Sequence, residues 1–269
     1  MHAWLCENPV GVDALTWKEL PTPQPGKGQV LIRIQAASLN FPDLLIVQGK
    51  YQIKPELPFV PGAEYAGVIE AVGEGVTGLQ VGQAVACLAG TGGFATHALA
   101  PAKLCLPLPP GFAPASTDEK CAFCQELGAD ETINYSTQDL RERLKELTGG
   151  NGPDVVYDPV GGEFTEPALR SLAWRGRLLV IGFTAGEIPA IRINLPLVKG
   201  TSIVGVFWGE FARREPQANA AMMKELVGWY MDGKIKPMID TQLPMSDLKA
   251  AYARMNSRQV KGKLVLVNA

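Results

Sequence analysis

The sequence is short of nearly everything that would mark a metal enzyme, a secreted protein or a membrane protein. It has two histidines, His2 and His97, in 269 residues. Its five cysteines, Cys6, Cys87, Cys105, Cys121 and Cys124, are odd in number and widely spread. That usage suits a reducing compartment better than a disulfide framework. Cys121-x-x-Cys124 is the one close pair. A tetrahedral metal site needs four clustered soft ligands, and neither a second pair nor a neighbouring His accompanies it. The spacing puts both thiols on one face of a helix, where cysteine packs as a small hydrophobe. No run of about 18 apolar residues occurs, so no membrane span is expected. The opening MHAWLCENPVG has no basic stretch followed by an apolar one, so no secretory signal is expected and the cytoplasm is the expected compartment. Charge of one sign is also missing. With 25 Lys and Arg against 27 Asp and Glu, the formal net charge is −2. No basic block is present, which excludes the electrostatic footprint of a nucleic-acid binder.

What is there can build a core: 46% of residues are hydrophobic and 19% charged. Residues 1 to about 110 are rich in Gly and Pro. Short apolar runs recur at Val30–Ala37, Ala66–Val72 and Val81–Leu88, separated by turn signals such as Pro25-Gly26 and Gly73-Glu74-Gly75. This spacing predicts a β-rich, barrel-like domain. Phe41–Gly49 reads as a short helix, with Pro42 near its start and Gly49 closing it. From about 116 the grammar changes. Helices are expected at Asp118–Leu127, Thr137–Thr148, Phe164–Ala173, Ala218–Met231 and Met245–Met255. Strands are expected at Asp154–Asp158, Arg177–Gly182, Ser202–Val206 and Lys263–Val267. Alternation of this kind predicts βαβ units and a parallel sheet covered on both faces. The fold class is therefore α/β, with Pro107–Pro114 as the link from the β-rich part.

Three segments carry chemistry. Asn40-Phe41-Pro42-Asp43 is followed by Gln48-Gly49-Lys50-Tyr51 and then by Pro58–Gly67 (PFVPGAEYAG). By itself Gly-x-Tyr describes an ordinary half-buried tyrosine in a turn. The whole run from Leu39 to Gly73, however, resembles the zinc-free quinone oxidoreductases (zeta-crystallin-like) and the mitochondrial-type enoyl reductases of the medium-chain dehydrogenase/reductase superfamily. That resemblance implies a GroES-like domain over 1–115, joined by about 240–269, and a Rossmann-like NADPH-binding domain over 116–239. It implies that Asn40, Asp43 and Tyr51 are catalytic, with Asn40 also near the nicotinamide and Tyr51 reaching the substrate carbonyl. Hydride arriving at an enone or quinone builds negative charge on oxygen, which a phenol hydroxyl can hydrogen-bond or protonate. The superfamily's alcohol dehydrogenases carry Gly-His-Glu near this point. Here the stretch is Gly62-Ala63-Glu64, without His, so zinc is not expected.

The second segment, Ser116–Lys120 with Tyr135, resembles the part of the family's cofactor domain that receives the adenosine 2′-phosphate. The resemblance makes Ser116, Thr117, Lys120 and Tyr135 NADPH-binding residues; Ser116 or Thr117 equally reads as a helix cap. The third comprises Asp154–Gly162, Gly176–Thr184 and Gly205–Trp208. It resembles the family's later strands, whose ends at Gly161, Gly182, Phe183, Phe207 and Trp208 would edge the nicotinamide. Taken alone, these are also plain strand-to-loop turns. Lys263 falls where the family often has another cofactor contact. The implied substrate is a small quinone or enone and the implied assembly a homodimer. An enoyl thioester is the alternative substrate, since Gln48–Pro58 reads like that branch.

One part is missing. The family carries a turn of the form Gly-x-x-Gly-Gly-Val-Gly inside a βαβ unit just before the Ser-Thr-x-x-Lys segment. Here Pro110–Ala115 runs straight into Ser116-Thr117, and a βαβ unit needs about 30 residues. The Rossmann-like domain is thus expected to be truncated by an internal deletion. Its main diphosphate anchor, backbone N–H groups at a helix N-terminus, would be lost. A non-catalytic remnant is the corresponding alternative function.

Overall fold

The computed structural model describes residues 1–107, 122, 124, 125, 129–257 and 260–268. The chain divides into two compact units. Unit 1 comprises Met1–Ser116 and Gly233–Ala269; unit 2 comprises Thr117–Asp232. The family's mixed α/β plan, a β-rich unit and a parallel α/β unit, is present.

Unit 1 holds β1 (His2–Leu5), β2 (Thr16–Glu19), β3 (Gln29–Ser38), α1 (Phe41–Val47), β4 (Glu64–Val72), β5 (Ala84–Leu88), β6 (His97–Pro101), β7 (Cys105–Pro107), β11 (Ile239–Pro244), α7 (Leu248–Asn256) and β12 (Lys263–Val267). The sheet order is β11-β12-β3-β4-β5-β7, with β6 also on β3. β3 is central because VLIRIQAAS is long enough for two partners on one edge. β6 pairs with Gln29–Arg33 and β12 with Ala36–Ser38. Period-two alternation sends Val30, Ile32, Ile34, Ile69, Val85, Leu264 and Leu266 into one core. α7 covers it with Leu248, Ala251 and Tyr252, and Tyr252 meets Phe94 edge-on at 6.2 Å.

Unit 2 holds α2 (Leu140–Leu147), β8 (Val155–Asp158), α3 (Thr165–Ser171), β9 (Arg177–Val180), α4 (Asn194–Lys199), β10 (Ser202–Gly205), α5 (Trp208–Arg214) and α6 (Pro216–Met231). Asp139 caps α2 by accepting the Glu142 N–H at 2.9 Å, so that helix starts later than Thr137. The strands run parallel in the order β10-β9-β8. The core here is Ala168, Leu169, Leu172, Leu178 and Leu195. The expectation of a sheet covered on both faces fails. All four residues of β10 are exposed, as is Val155 on β8, and Tyr157 is 66% exposed. The physical reason is the missing βαβ segment. Among the described residues no strand pairs with the outer edge of β8, and α6 buries none of its residues. Two boundaries also move. β10 ends at Gly205, and Trp208, expected at a strand end, begins α5.

Candidate functional site

The register of unit 1 assembles one polar cluster from three distant strands. Ser38, the last residue of β3, lies opposite Glu64, the first of β4. Val265 of β12 also lies opposite Ser38, so Lys263, two residues upstream on the same face, reaches the level of Asn40. The Leu39 N–H donates to Leu264 O at 3.0 Å and holds that alignment. The Lys263 ammonium then spends its three N–H donors on Ser38 Oγ at 3.0 Å, Glu64 Oε2 at 3.1 Å and Asn40 Oδ1. The amide of Asn40 is fixed from both sides, since its Nδ2 donates to Glu64 Oε2 at 2.9 Å.

Asp43 lies one turn further on and is buried. Its Oδ2 accepts the Asn40 N–H and its Oδ1 the Ala63 N–H, both at 2.9 Å. It thereby closes the first turn of α1 and ties that turn to the loop before β4. Gly62 makes the loop tight enough. It sits at φ 98°, and a Cβ there would come within 2.7 Å of the Phe94 backbone nitrogen. Burial pushes the Asp43 carboxyl up to about 6 from 3.8; the two N–H donors and Lys263 oppose the shift, and Glu64 adds to it. Tyr51 lies in the bend after α1, half-buried and packed against the unit 1 core. Asn40 caps the N-terminal end of that seven-residue helix, and Tyr51 follows its C-terminal end.

In unit 2 the turn after β8 is organised by Asp158, which the sequence reading did not single out. This buried carboxylate accepts the N–H groups of Val160 and Gly161 at 2.9 Å and the Thr165 hydroxyl at 2.8 Å. Gly161 has φ 71°, and a Cβ there would lie 2.7 Å from the Phe183 ring. The Gly182 N–H reaches Asp158 O at 3.3 Å. Gly161, Gly182 and Phe183 therefore meet at the ends of β8 and β9. Phe207 is exposed, and Trp208 donates its indole N–H to Asn219 at 2.9 Å. Tyr135 meets Phe164 at a tilt of 52°, with ring centres 4.7 Å apart. Ser116, Thr117 and Lys120 lie outside the described residues.

Ser38 and Glu64 escaped the sequence reading as members of the cluster. Glu64 touches Lys263 across 199 positions of chain, and only strand register reveals such a contact. The available signal was a charged residue at the first position of a mostly apolar strand.

Residues 26–110 match the alcohol dehydrogenase GroES-like domain family and residues 112–225 the zinc-binding dehydrogenase family. A zinc-type alcohol dehydrogenase-like protein of Schizosaccharomyces pombe is 30% identical, with 95% of this chain and 96% of that protein covered. The chain belongs to the medium-chain dehydrogenase/reductase superfamily, in its quinone oxidoreductase branch. The quinone oxidoreductase-like protein 2 homolog of Nematostella vectensis is 29% identical, covering 98% of this chain and 88% of its own length. A mycobacterial structure complexed with NADPH is 27% identical, superposes with a TM-score of 0.88 and covers 100% of both chains. The Nematostella alignment runs over 323 positions although this chain has 269 residues. The relative therefore carries stretches with no counterpart here. The zinc in one family's name finds no matching group. Among the described residues, no set of three or more His, Cys, Asp and Glu side chains is placed to hold a metal ion. Nor is any helix among them long and apolar enough to cross a membrane.

Proposed function

We propose that this chain is an NADPH-dependent oxidoreductase that reduces quinones or α,β-unsaturated carbonyl compounds by hydride transfer, and that it holds its cofactor weakly. The observation that carries the reading is the Asn40–Glu64–Lys263 cluster. It fixes an amide and a cation side by side on a rigid sheet, in a family of nucleotide-dependent reductases.

The residues present fit one end of the cofactor and not the middle. Gly161 and Gly182 offer close-packed backbone at the strand ends of unit 2, suited to the flat face of a nicotinamide, with Phe183 behind them. Phe207 and Trp208, after β10, supply aromatic surface for the nicotinamide end, and Tyr135 is the residue proposed for the adenosine 2′-phosphate. The N–H groups of Val160 and Gly161 are already taken by Asp158, so they offer nothing to a diphosphate. The glycine turn that would do so is absent from the sequence. Bound NADPH supplies the hydride; the chain's own part is to orient and to polarise. Asn40 is held so that its amide cannot swing. Lys263 places positive charge beside it, which favours negative charge growing on an acceptor oxygen. Tyr51 is the proposed hydrogen-bond donor to that oxygen and Asp43 the group that holds the Asn40 turn in place.

Steady-state NADPH oxidation tests the reading, with cofactor raised to the millimolar range and either a benzoquinone or a short enoyl-CoA as acceptor. Quinone turnover above that of the thioester is expected, falling by ten-fold or more in Lys263→Met. The reverse preference would move the substrate to enoyl thioesters. Absence of turnover with either acceptor would leave the non-catalytic remnant, which the uncovered sheet of unit 2 favours.

A further inference from the structure

A pair of buried thiols lies in unit 1, apart from the cluster around Asn40. Cys87 on β5 and Cys105 on β7 are directly opposed in the antiparallel register, and their sulfurs are 4.0 Å apart. Both are buried, with 3% and 8% of their surface exposed. The ladder shows which kind of pair they form. The Ala89 N–H donates to Ala63 O and the Ile69 N–H to Gln83 O. The hydrogen-bonded positions between β4 and β5 therefore alternate through Tyr65/Cys87. A residue's N–H and C=O point to the same edge of its strand. Those of Cys87 point at β4, so towards β7 Cys87 and Cys105 form a non-hydrogen-bonded pair. The same alternation places Pro107, which has no N–H, opposite Val85 at a position that needs none. Non-hydrogen-bonded partners have Cα atoms about 4.5 Å apart and the closest side chains in an antiparallel sheet. That separation lies inside the window a disulfide spans, about 4.4–6.8 Å. Only side-chain rotation is then needed to bring the sulfurs to bonding distance.

We propose that Cys87 and Cys105 are a thiol–disulfide site, oxidised to a cross-strand disulfide by a small hydroperoxide such as hydrogen peroxide. The Cys87 thiolate attacks one peroxide oxygen, the O–O bond breaks, and Cys87 becomes a sulfenic acid as the other oxygen leaves as water. Cys105 sulfur then attacks the Cys87 sulfur, the S–OH bond breaks, and the second water leaves. Two thiols and one peroxide give one disulfide and two waters. Cys87 is the thiol that ionises first. The Cys105 thiol, 4.0 Å from the Cys87 sulfur and 3.7 Å from Pro101 O, lowers the Cys87 pKa, and the neighbouring Tyr65 hydroxyl acts in the same direction against the desolvation of burial. That hydroxyl is buried and has no conventional hydrogen-bond partner. β7 is a three-residue strand at the edge of its sheet, the kind of element that opens locally and admits a small oxidant. Once formed, the bond fastens that edge to β5 and stabilises unit 1.

The test uses the full chain, treated with hydrogen peroxide or with dithiothreitol, alkylated, digested with trypsin without reduction and analysed by mass spectrometry. Cleavage after Lys103 and Lys120 puts Cys87, Cys105 and the Cys121/Cys124 pair on three different peptides, so each pairing is separately identifiable. The expected result is a peptide linking Cys87 to Cys105, lost in Cys105→Ser, with the thermal midpoint of the oxidised wild type raised by about 5 °C. If the serine variant does not fold, the linked peptide in the wild type decides alone. Cys87 and Cys105 both recovered as thiols while other cysteines are oxidised would overturn the assignment. So would either of them linked mainly to Cys6, Cys121 or Cys124.

Discussion

Units 1 and 2 are both built from short strands and short helices, yet they bury those elements very differently. The unit 1 sheet sends alternate residues of β3, β4, β5 and β12 into a core closed by α7. Unit 2 closes its core with five buried residues among those described, and leaves β10 open along its length. A parallel sheet normally has both faces covered. The open one here is what remains when a βαβ segment is removed from beside β8 while the later strands keep their order. Unit 1 holds the Ser38–Asn40–Glu64–Lys263 cluster on its sheet, whereas unit 2 keeps three parallel strands and the sequence has no glycine turn ahead of them.

Matched Leu→Ala changes sharpen this contrast most strongly. Leu266 is 0% exposed in the unit 1 core, whereas Leu197 on α4 is 79% exposed. Leu266→Ala should cost about 3 kcal/mol in chemical denaturation and Leu197→Ala under about 0.5 kcal/mol. Similar costs for the two would mean that unit 2 is covered by something the strand order does not provide. Hydrogen exchange makes the same point without mutation: β10 amides should exchange faster than those of β3.

The next effect is electrostatic. Asp43 holds its proton up to about pH 6 when folded, against an ordinary value of 3.8. Between those values the folded chain binds the extra proton, so this group favours folding fully below pH 3.8. The contribution is lost as pH rises through about 6. About two pKa units correspond to about 3 kcal/mol. Asp43→Asn should flatten that part of the stability profile. Asp43→Ala should cost about 2–3 kcal/mol at neutral pH, because the N–H groups of Asn40 and Ala63 lose their acceptor. A stability profile unchanged by Asp43→Asn would contradict the buried-carboxylate account.

The smallest effect belongs to the surface of unit 2. Half-buried Glu210 pairs with the exposed Arg213 and Arg214 on α5. Glu210→Ala should move the thermal midpoint by no more than about 1 °C, since solvated pairs contribute little. A larger shift would mean that this helix is docked against something.

Legibility in the sequence divided along the same line as burial. Lys263–Val267 was read to its bounds because KLVLV alternates, with Leu264 and Leu266 buried. α1 was legible from Pro42 and Gly49. β1 and β2 were missed because HAWL and TWKE carry no alternation that separates them from a loop. α4 was missed because Pro196 sits within it, tolerated only because it falls in the first turn. In the site, Asn40, Asp43 and Lys263 were visible through resemblance, whereas Ser38 and Glu64 enter through strand register, which no local pattern encodes. Asp158 was hidden for another reason. A carboxylate at the end of an apolar strand reads as a turn residue until its three donors are seen.

Isothermal titration of the full chain with NADPH tests the central claim most directly. A gap of about 4 kcal/mol separates micromolar from millimolar binding. Two lost charge-assisted hydrogen bonds to the diphosphate, at about 2 kcal/mol each, are enough to cross it. The account predicts no saturation below about 1 mM. Saturable binding at micromolar concentration would show that this chain anchors the diphosphate by some other means, and would contradict the claim that the missing glycine turn limits its function.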